Sequence, residues 1–163
     1  MNKIYIISAN ENPYAFVKQR IAEKFNIDVN DVEIKRDING KPFIENLKGV
    51  FFNVSNSKEL QAVALSESPV GVDIEKVRKA NLSVAKRFCK EEYEYITEND
   101  SQNRLFEVWT KKEAYLKYTG KGIKGGLDSF NVFDMPLIIK IFKTDGYFVS
   151  YCCERELDII IEK

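Results

Sequence analysis

Val70-Gly71-Val72-Asp73-Ile74-Glu75 sets two carboxylates into a strand-forming background. The β-branched Val70, Val72 and Ile74 favour a pleated, half-buried strand. Alternation then puts Asp73 and Glu75 on one face, roughly 6.5–7 Å apart at the α-carbon. Like charges so held repel, and one takes up a proton unless positive charge is supplied. A strand whose carboxylates simply face water is the alternative. A third acid comes from the stretch Leu105–Gly120. At about 100° per residue, Phe106, Trp109, Glu113 and Lys117 fall on one side, with Leu116 beside them. Glu113 is therefore expected on a stripe facing the core, which is costly unless the carboxylate is paired or metal-bound. Lys117, one turn on, can pair with it at i,i+4 spacing. Taken together, three acids from a strand and a helix read as an oxygen-ligand site for Mg²⁺, with Mn²⁺ the other candidate.

Composition narrows the chemistry. The 163 residues suit one domain or two small halves. Twenty-five basic and 25 acidic side chains cancel, so no global field attracts nucleic acid or an anionic membrane. No apolar run approaches the ~20 residues that span a bilayer, and the opening Met1–Ile7 block is too short for a signal peptide. A cytoplasmic, monomeric protein is the expectation. The chain has no histidine, which excludes Ser-His-Asp, Cys-His and zinc-histidine sites. Its three cysteines, Cys89, Cys152 and Cys153, lack ligand spacing and read as plain thiols.

The elements that must position the acids follow in order. Lys3–Ser8 reads as a strand, and Asn12-Pro13 as the cap and first turn of a helix running to about residue 26. Val32–Lys35 is a short strand before the hairpin turn Asp37–Gly40. Strands at Val50–Val54 and Gln61–Leu65 and the strand holding Asp73 are expected to form an antiparallel meander. In that scheme Ser55-Asn56-Ser57 is a turn, a cap or a set of donors for an anion. Lys76–Lys90 carries six basic residues and no acid. It reads as a solvated face with a short helix near Leu82, Ala85 and Phe88, or as a patch that steers an acidic partner. A further helix begins at Glu91, and the main helix ends at a Gly120 cap. Phe130–Phe133, Leu137–Phe142, Tyr147–Cys152 and Leu157–Ile161 read as strands.

Four stretches in this order resemble a known family. They are Gly40-Lys41-Pro42, Phe52-Asn53-Val54-Ser55-Asn56-Ser57, Gly71–Glu75, and the run from Phe106 through Trp109, Lys112, Glu113, Ala114 and Lys117 to Gly122. The set is similar to the signatures of 4′-phosphopantetheinyl transferases. The 40-residue step from Asp73 to Glu113 resembles the surfactin-synthetase-activating type rather than the short trimeric holo-ACP synthases. The match spans roughly residues 20–134.

The resemblance implies an α+β fold of two similar halves related by a pseudo-twofold, with the active site in the cleft between them. Residues 1–69 would be a shortened N-terminal half and 70–163 the half with the metal-binding motifs. It implies transfer of phosphopantetheine from coenzyme A to a serine of an acyl or peptidyl carrier protein. Asp73, Glu75 and Glu113 would hold Mg²⁺ against the CoA pyrophosphate, and Lys117 would contact that pyrophosphate. Lys41, Ser55 and Asn56 would bind the anionic nucleotide end, and Glu113 would take the serine proton. A relative that binds carrier or nucleotide without transfer is the other expectation. Asn56 departs from the pattern, standing where the family has a histidine; it donates a hydrogen bond but carries no charge. The chain also begins late against the family pattern, short of a basic segment for the 3′-phosphate end, and Lys18 and Arg20 are not assigned to those positions.

Overall fold

A computed structural model describes residues 1–120, 122 and 126–161. The fold is α+β, built from nine strands and three α-helices among the described residues. Strand β1 (Lys3–Ser8) leads to helix α1 (Pro13–Phe25), whose Asn12 cap accepts from the Tyr14 and Ala15 N–H groups. The hairpin β2 (Ile34–Arg36) and β3 (Pro42–Ile44) turns at Asp37–Gly40 as expected. Next come β4 (Phe51–Ser57), β5 (Leu60–Ser66) and β6 (Val70–Lys76). A 3₁₀ helix spans Leu82–Arg87, followed by α2 (Lys90–Glu98) and α3 (Ser101–Thr119), which ends at Gly120 with φ +68°. Strands β7 (Ile138–Thr144), β8 (Tyr147–Cys153) and β9 (Asp158–Ile161) close the fold.

The expected three-strand meander does not form. One sheet has the order β4-β5-β1-β9, and β6 lies in another, ordered β6-β8-β7. Alternation explains the split. The inner residues Ile4, Ile6, Ala62 and Ala64 of the first sheet pack on Val70, Val72, Ile74, Val149 and Tyr151 of the second. After Ser66 the chain crosses to a second layer instead of adding to the first. The other face of the first sheet buries Tyr5, Ile7, Val63 and Leu65 under Phe16, Val17 and Ile21 of α1. Strand β9 runs parallel to β1, so the last strand returns to the sheet begun by the first.

Two further expectations are corrected. Ser55-Asn56-Ser57 is not a turn but the end of β4, paired with Ala62, Gln61 and Leu60, and the chain reverses at Lys58. Phe130–Phe133 is not a strand. There the Phe130 carbonyl accepts from Lys112 Nζ and the Val132 N–H donates to Glu92 Oε1, so side chains satisfy groups that a ladder would otherwise use. The three cysteines are free thiols. Among the described residues no helix is long and apolar enough to cross a membrane.

Helix α3 covers the face of the second sheet away from the first. The approach is closest at Gly71, where a Cβ would stand 2.0 Å from the Ala114 carbonyl oxygen and 2.3 Å from the Tyr118 backbone nitrogen. Both obstacles are backbone and cannot rotate aside. Gly71→Ala is therefore expected to cost at least the ~1–3 kcal/mol typical of overpacking. At about 2–4 °C per kcal/mol for a chain of this size, the melting temperature falls by several degrees. A thermal melt matching the parent protein would mean that α3 does not sit this close.

Candidate functional site

The site forms where the edges of the two sheets meet under α3. Strand β6 pairs with β8 on one side only, so its other edge needs partners for its N–H groups. Strand β4 supplies them from alternate side chains. Asn53 Oδ1 accepts from the Val72 N–H at 2.9 Å, and Ser57 Oγ from the Lys76 N–H at 3.2 Å. Between these two, Ser55 Oγ donates to Asp73 Oδ1 at 2.8 Å. Ser57 Oγ also donates to Glu75 Oε2 at 2.9 Å, and the Arg78 guanidinium donates to the same oxygen at 2.9 Å.

From above, Lys117 Nζ donates to Asp73 Oδ1 and to Ser55 Oγ, both at 2.7 Å. Asp73 is 5% exposed, and its second oxygen, Oδ2, is buried without a hydrogen-bond partner. Burial raises the Asp73 carboxyl above the usual carboxylate range, against the pull of Lys117 and Ser55, and the Glu75 charge adds to the rise. Glu113 is raised too, by burial first and then by the charges of Asp73 and Glu75, with Lys117 opposing. The three acids are thus electrostatic neighbours. Among the described residues, no three His, Cys, Asp or Glu side chains already stand in a metal-holding cluster.

The expected stripe on α3 lies between two buried lines. Leu105, Val108, Lys112 and Leu116 form one and Phe106, Thr110 and Ala114 the other, while Trp109, Glu113 and Lys117 run between them at intermediate exposure. Glu113 therefore faces a cleft edge and not the core. Lys112 takes the core position at 0% exposure, paired with the equally buried Glu92 at 2.8 Å. Its other two N–H groups donate to the Leu127 and Phe130 carbonyls, both at 2.6 Å.

Lys41 reaches α3 from the β2–β3 hairpin. Its ammonium donates to the Lys117 and Tyr118 carbonyls at 2.6 and 2.9 Å, satisfying acceptors that the last helical turn leaves open. Burial lowers its pKa, with Asp37 opposing. A cleft of about 240 Å³ runs between Gly40, Lys41, Pro42 and Asn53 on one wall and Glu113 and Lys117 on the other. A second groove of about 280 Å³ opens at Glu75 and is walled by Arg78, Val84, Leu105, Phe106 and Trp109. Asn56 is exposed on the face of β4 that carries Phe52 and Val54, opposite Ser55.

Asn53 and Lys112 carry no role in the sequence reading, and Ser57 only that of one among several anion donors. Asn53 and Ser57 share the period-2 line of Ser55, and Lys112 shares the helical line of Leu105, Val108 and Leu116.

The chain matches the model of the 4′-phosphopantetheinyl transferase superfamily over residues 69–160. It is 33% identical over 158 residues to 4′-phosphopantetheinyl transferase ffp of Bacillus subtilis, covering 85% of this chain and 70% of that protein. To 4′-phosphopantetheinyl transferase Sfp of Bacillus subtilis strain 168 it is 31% identical over 155 residues, covering 83% and 69%. To the L-aminoadipate-semialdehyde dehydrogenase-phosphopantetheinyl transferase of Candida glabrata it is 28% identical over 149 residues, covering 74% and 58%.

Glu113 supplies a pH-dependent test of this geometry. Its raised carboxyl pKa means that the folded protein holds the proton more tightly than the unfolded chain. The ionised form therefore costs stability, and that cost grows as pH rises from the ordinary carboxylate range through the folded-state pKa. Glu113→Gln is expected to melt higher than the parent protein at pH 8 without metal, with the gap closing as pH falls toward 4. A gap independent of pH, or of opposite sign, would contradict the crowding of the three acids.

Proposed function

The chain belongs to the 4′-phosphopantetheinyl transferase superfamily, and from that premise we propose that it moves phosphopantetheine from coenzyme A to a serine hydroxyl of a carrier protein, with Mg²⁺ as the required ion. The observation that carries this reading is Asp73, a carboxylate buried among acids with one oxygen left unpartnered. The donors fit a hard dication, since Asp73, Glu75 and Glu113 offer only oxygen and repel one another in its absence. These three side chains would hold Mg²⁺. When bound, the ion neutralises diphosphate charge and polarises the reacting phosphoryl group.

The chain's own residues account for the rest. The cleft walled by Lys41, Pro42 and Lys117 takes the nucleotide end of coenzyme A, and the Lys117 ammonium binds a phosphate oxygen as a point charge. A third groove, of about 440 Å³ and bordered by Lys41, Pro42, Phe43 and Phe51, gives the nucleotide further room. Asn56 contributes a neutral donor from the opposite face of β4. The serine hydroxyl attacks phosphorus, a new P–O bond forms to serine, and the P–O bond to the adenosine 3′,5′-bisphosphate leaving group breaks. Glu113, whose burial raises its proton affinity, accepts the hydroxyl proton directly or through a water. No histidine is needed, because the nucleophile belongs to the partner.

The carrier is expected to approach past the groove at Glu75. Lys79, Lys86 and Arg87 are exposed in the same stretch of chain as Arg78 and Val84, which wall that groove, and an acidic partner complements them.

Two measurements test this reading. With apo carrier protein, coenzyme A and Mg²⁺, the carrier gains the mass of one phosphopantetheinyl group, and Asp73→Ala lowers the rate by about 10²-fold or more. A panel of carriers left unmodified by folded protein would leave only binding without transfer. Arg87→Glu slows carrier association several-fold at low salt, and the difference shrinks as screening increases. Identical association kinetics at low salt would place the carrier surface elsewhere.

A further inference from the structure

The Lys117 ammonium is the group least at ease with a dication at Asp73. It is bonded to Asp73 Oδ1 and to Ser55 Oγ, in a setting where Asp73 is almost wholly buried and water screens poorly. An ammonium and a dication on one carboxylate repel each other, so each weakens the other's hold. Removing the ammonium with nothing in its place has the opposite defect. Asp73, Glu75 and Glu113 then face one another across the same seam, their mutual repulsion less compensated.

Geometry offers a way out that costs no backbone movement. Lys117 lines the cleft whose other wall is Lys41, Pro42 and Asn53, so its four-carbon stem carries the ammonium between Asp73 and that space. Lys41 commits two of its three donors to the Lys117 and Tyr118 carbonyls at the end of the same helix, not to Asp73. Asp73 also has a second oxygen ready, the unpartnered Oδ2.

Building on the transferase reading, we infer that Lys117 is the resident counter-ion of the acid cluster, and that its transfer from Asp73 to the diphosphate of coenzyme A couples the binding of the dication to the binding of coenzyme A. Without coenzyme A the ammonium opposes the metal. With coenzyme A it has a better acceptor, and the carboxylate is freed. Linkage is reciprocal, so the factor by which coenzyme A strengthens metal binding equals the factor by which metal strengthens coenzyme A binding.

Mn²⁺ serves as a paramagnetic probe, with binding measured by electron paramagnetic resonance and calorimetry on the full chain. Without coenzyme A, Lys117→Met is expected to bind Mn²⁺ about tenfold more tightly than the parent protein, because a nearby positive charge is gone. Lys117→Gln supplies a second neutral side chain should Lys117→Met fail to fold, and Lys117→Arg, which keeps the charge, stays close to the parent value. The strengthening of coenzyme A binding by Mn²⁺ is expected to be larger in the parent protein than in the neutral variants, which keep only the direct attraction between ion and diphosphate. Chelation of Mn²⁺ by free coenzyme A is the same for every protein and cancels in that comparison. Neutral variants that bind Mn²⁺ no more tightly than the parent overturn the counter-ion role while leaving the transferase reading intact. A parent protein that binds no Mn²⁺ even with coenzyme A removes the metal from that reading, and the exchange with it.

Discussion

Everything in the site depends on how closely α3 lies on β6. At Gly71 the two backbones leave no room for even a methyl group, and the next outward residue on the same face of the strand is Asp73. Glu113 and Lys117 flank that contact on the helix, one turn apart. A larger residue at position 71 lifts the helix and opens the gap that Lys117 bridges at 2.7 Å. The glycine is thus a distance setting, which explains why a residue without chemistry sits inside the acid-bearing stretch. On its side away from β8, β6 is an edge strand, and β4 caps it there with Asn53 and Ser57.

Two lysines on α3, five residues apart, show how burial separates structure from chemistry. Lys112 has three N–H donors and three fixed acceptors: Glu92 and two loop carbonyls. Glu92 in turn accepts from Lys112 and from the Cys89 and Val132 N–H groups. Such a pair is fully satisfied and immobile, and breaking it strands a buried charge at about 3–5 kcal/mol. It pins the 127–132 segment under the helix. Lys117 is different. Its partners are a hydroxyl and a carboxylate at the border of a cleft, and that carboxylate still has an open oxygen. The first lysine holds the scaffold, and the second is free to exchange partners.

Much of this was legible in the residues. Alternation in Val70–Glu75 placed Asp73 and Glu75 together, and the turn and cap signals at Asn12-Pro13, Asp37–Gly40 and Gly120 found their elements because each acts within a few residues. What failed was long-range. Nothing local says that β6 leaves the first sheet for a partner some seventy residues on, since β-branched strands suit either sheet. The segment at Phe130 has strand composition, yet its backbone is claimed by Lys112 and Glu92. On α3 the side with Trp109, Glu113 and Lys117 lies between two buried lines, so Glu113 borders the core while Lys112 enters it. Charge normally argues against burial, and nothing local to Lys112 announces the three acceptors that make its burial tolerable.

Position along β4 also separates the side chains that meet β6 from those that do not. Asn53, Ser55 and Ser57 point to the seam with β6, while Phe52, Val54 and Asn56 belong to the other face. The departure from the family pattern at Asn56 therefore falls on the side away from Asp73. Asn56 takes part in none of the contacts that hold Asp73, Glu75 and Lys117. Ser55, one residue earlier, has the opposite character. It links the first sheet to both Asp73 and Lys117, so a change there reaches the acid and its counter-ion together.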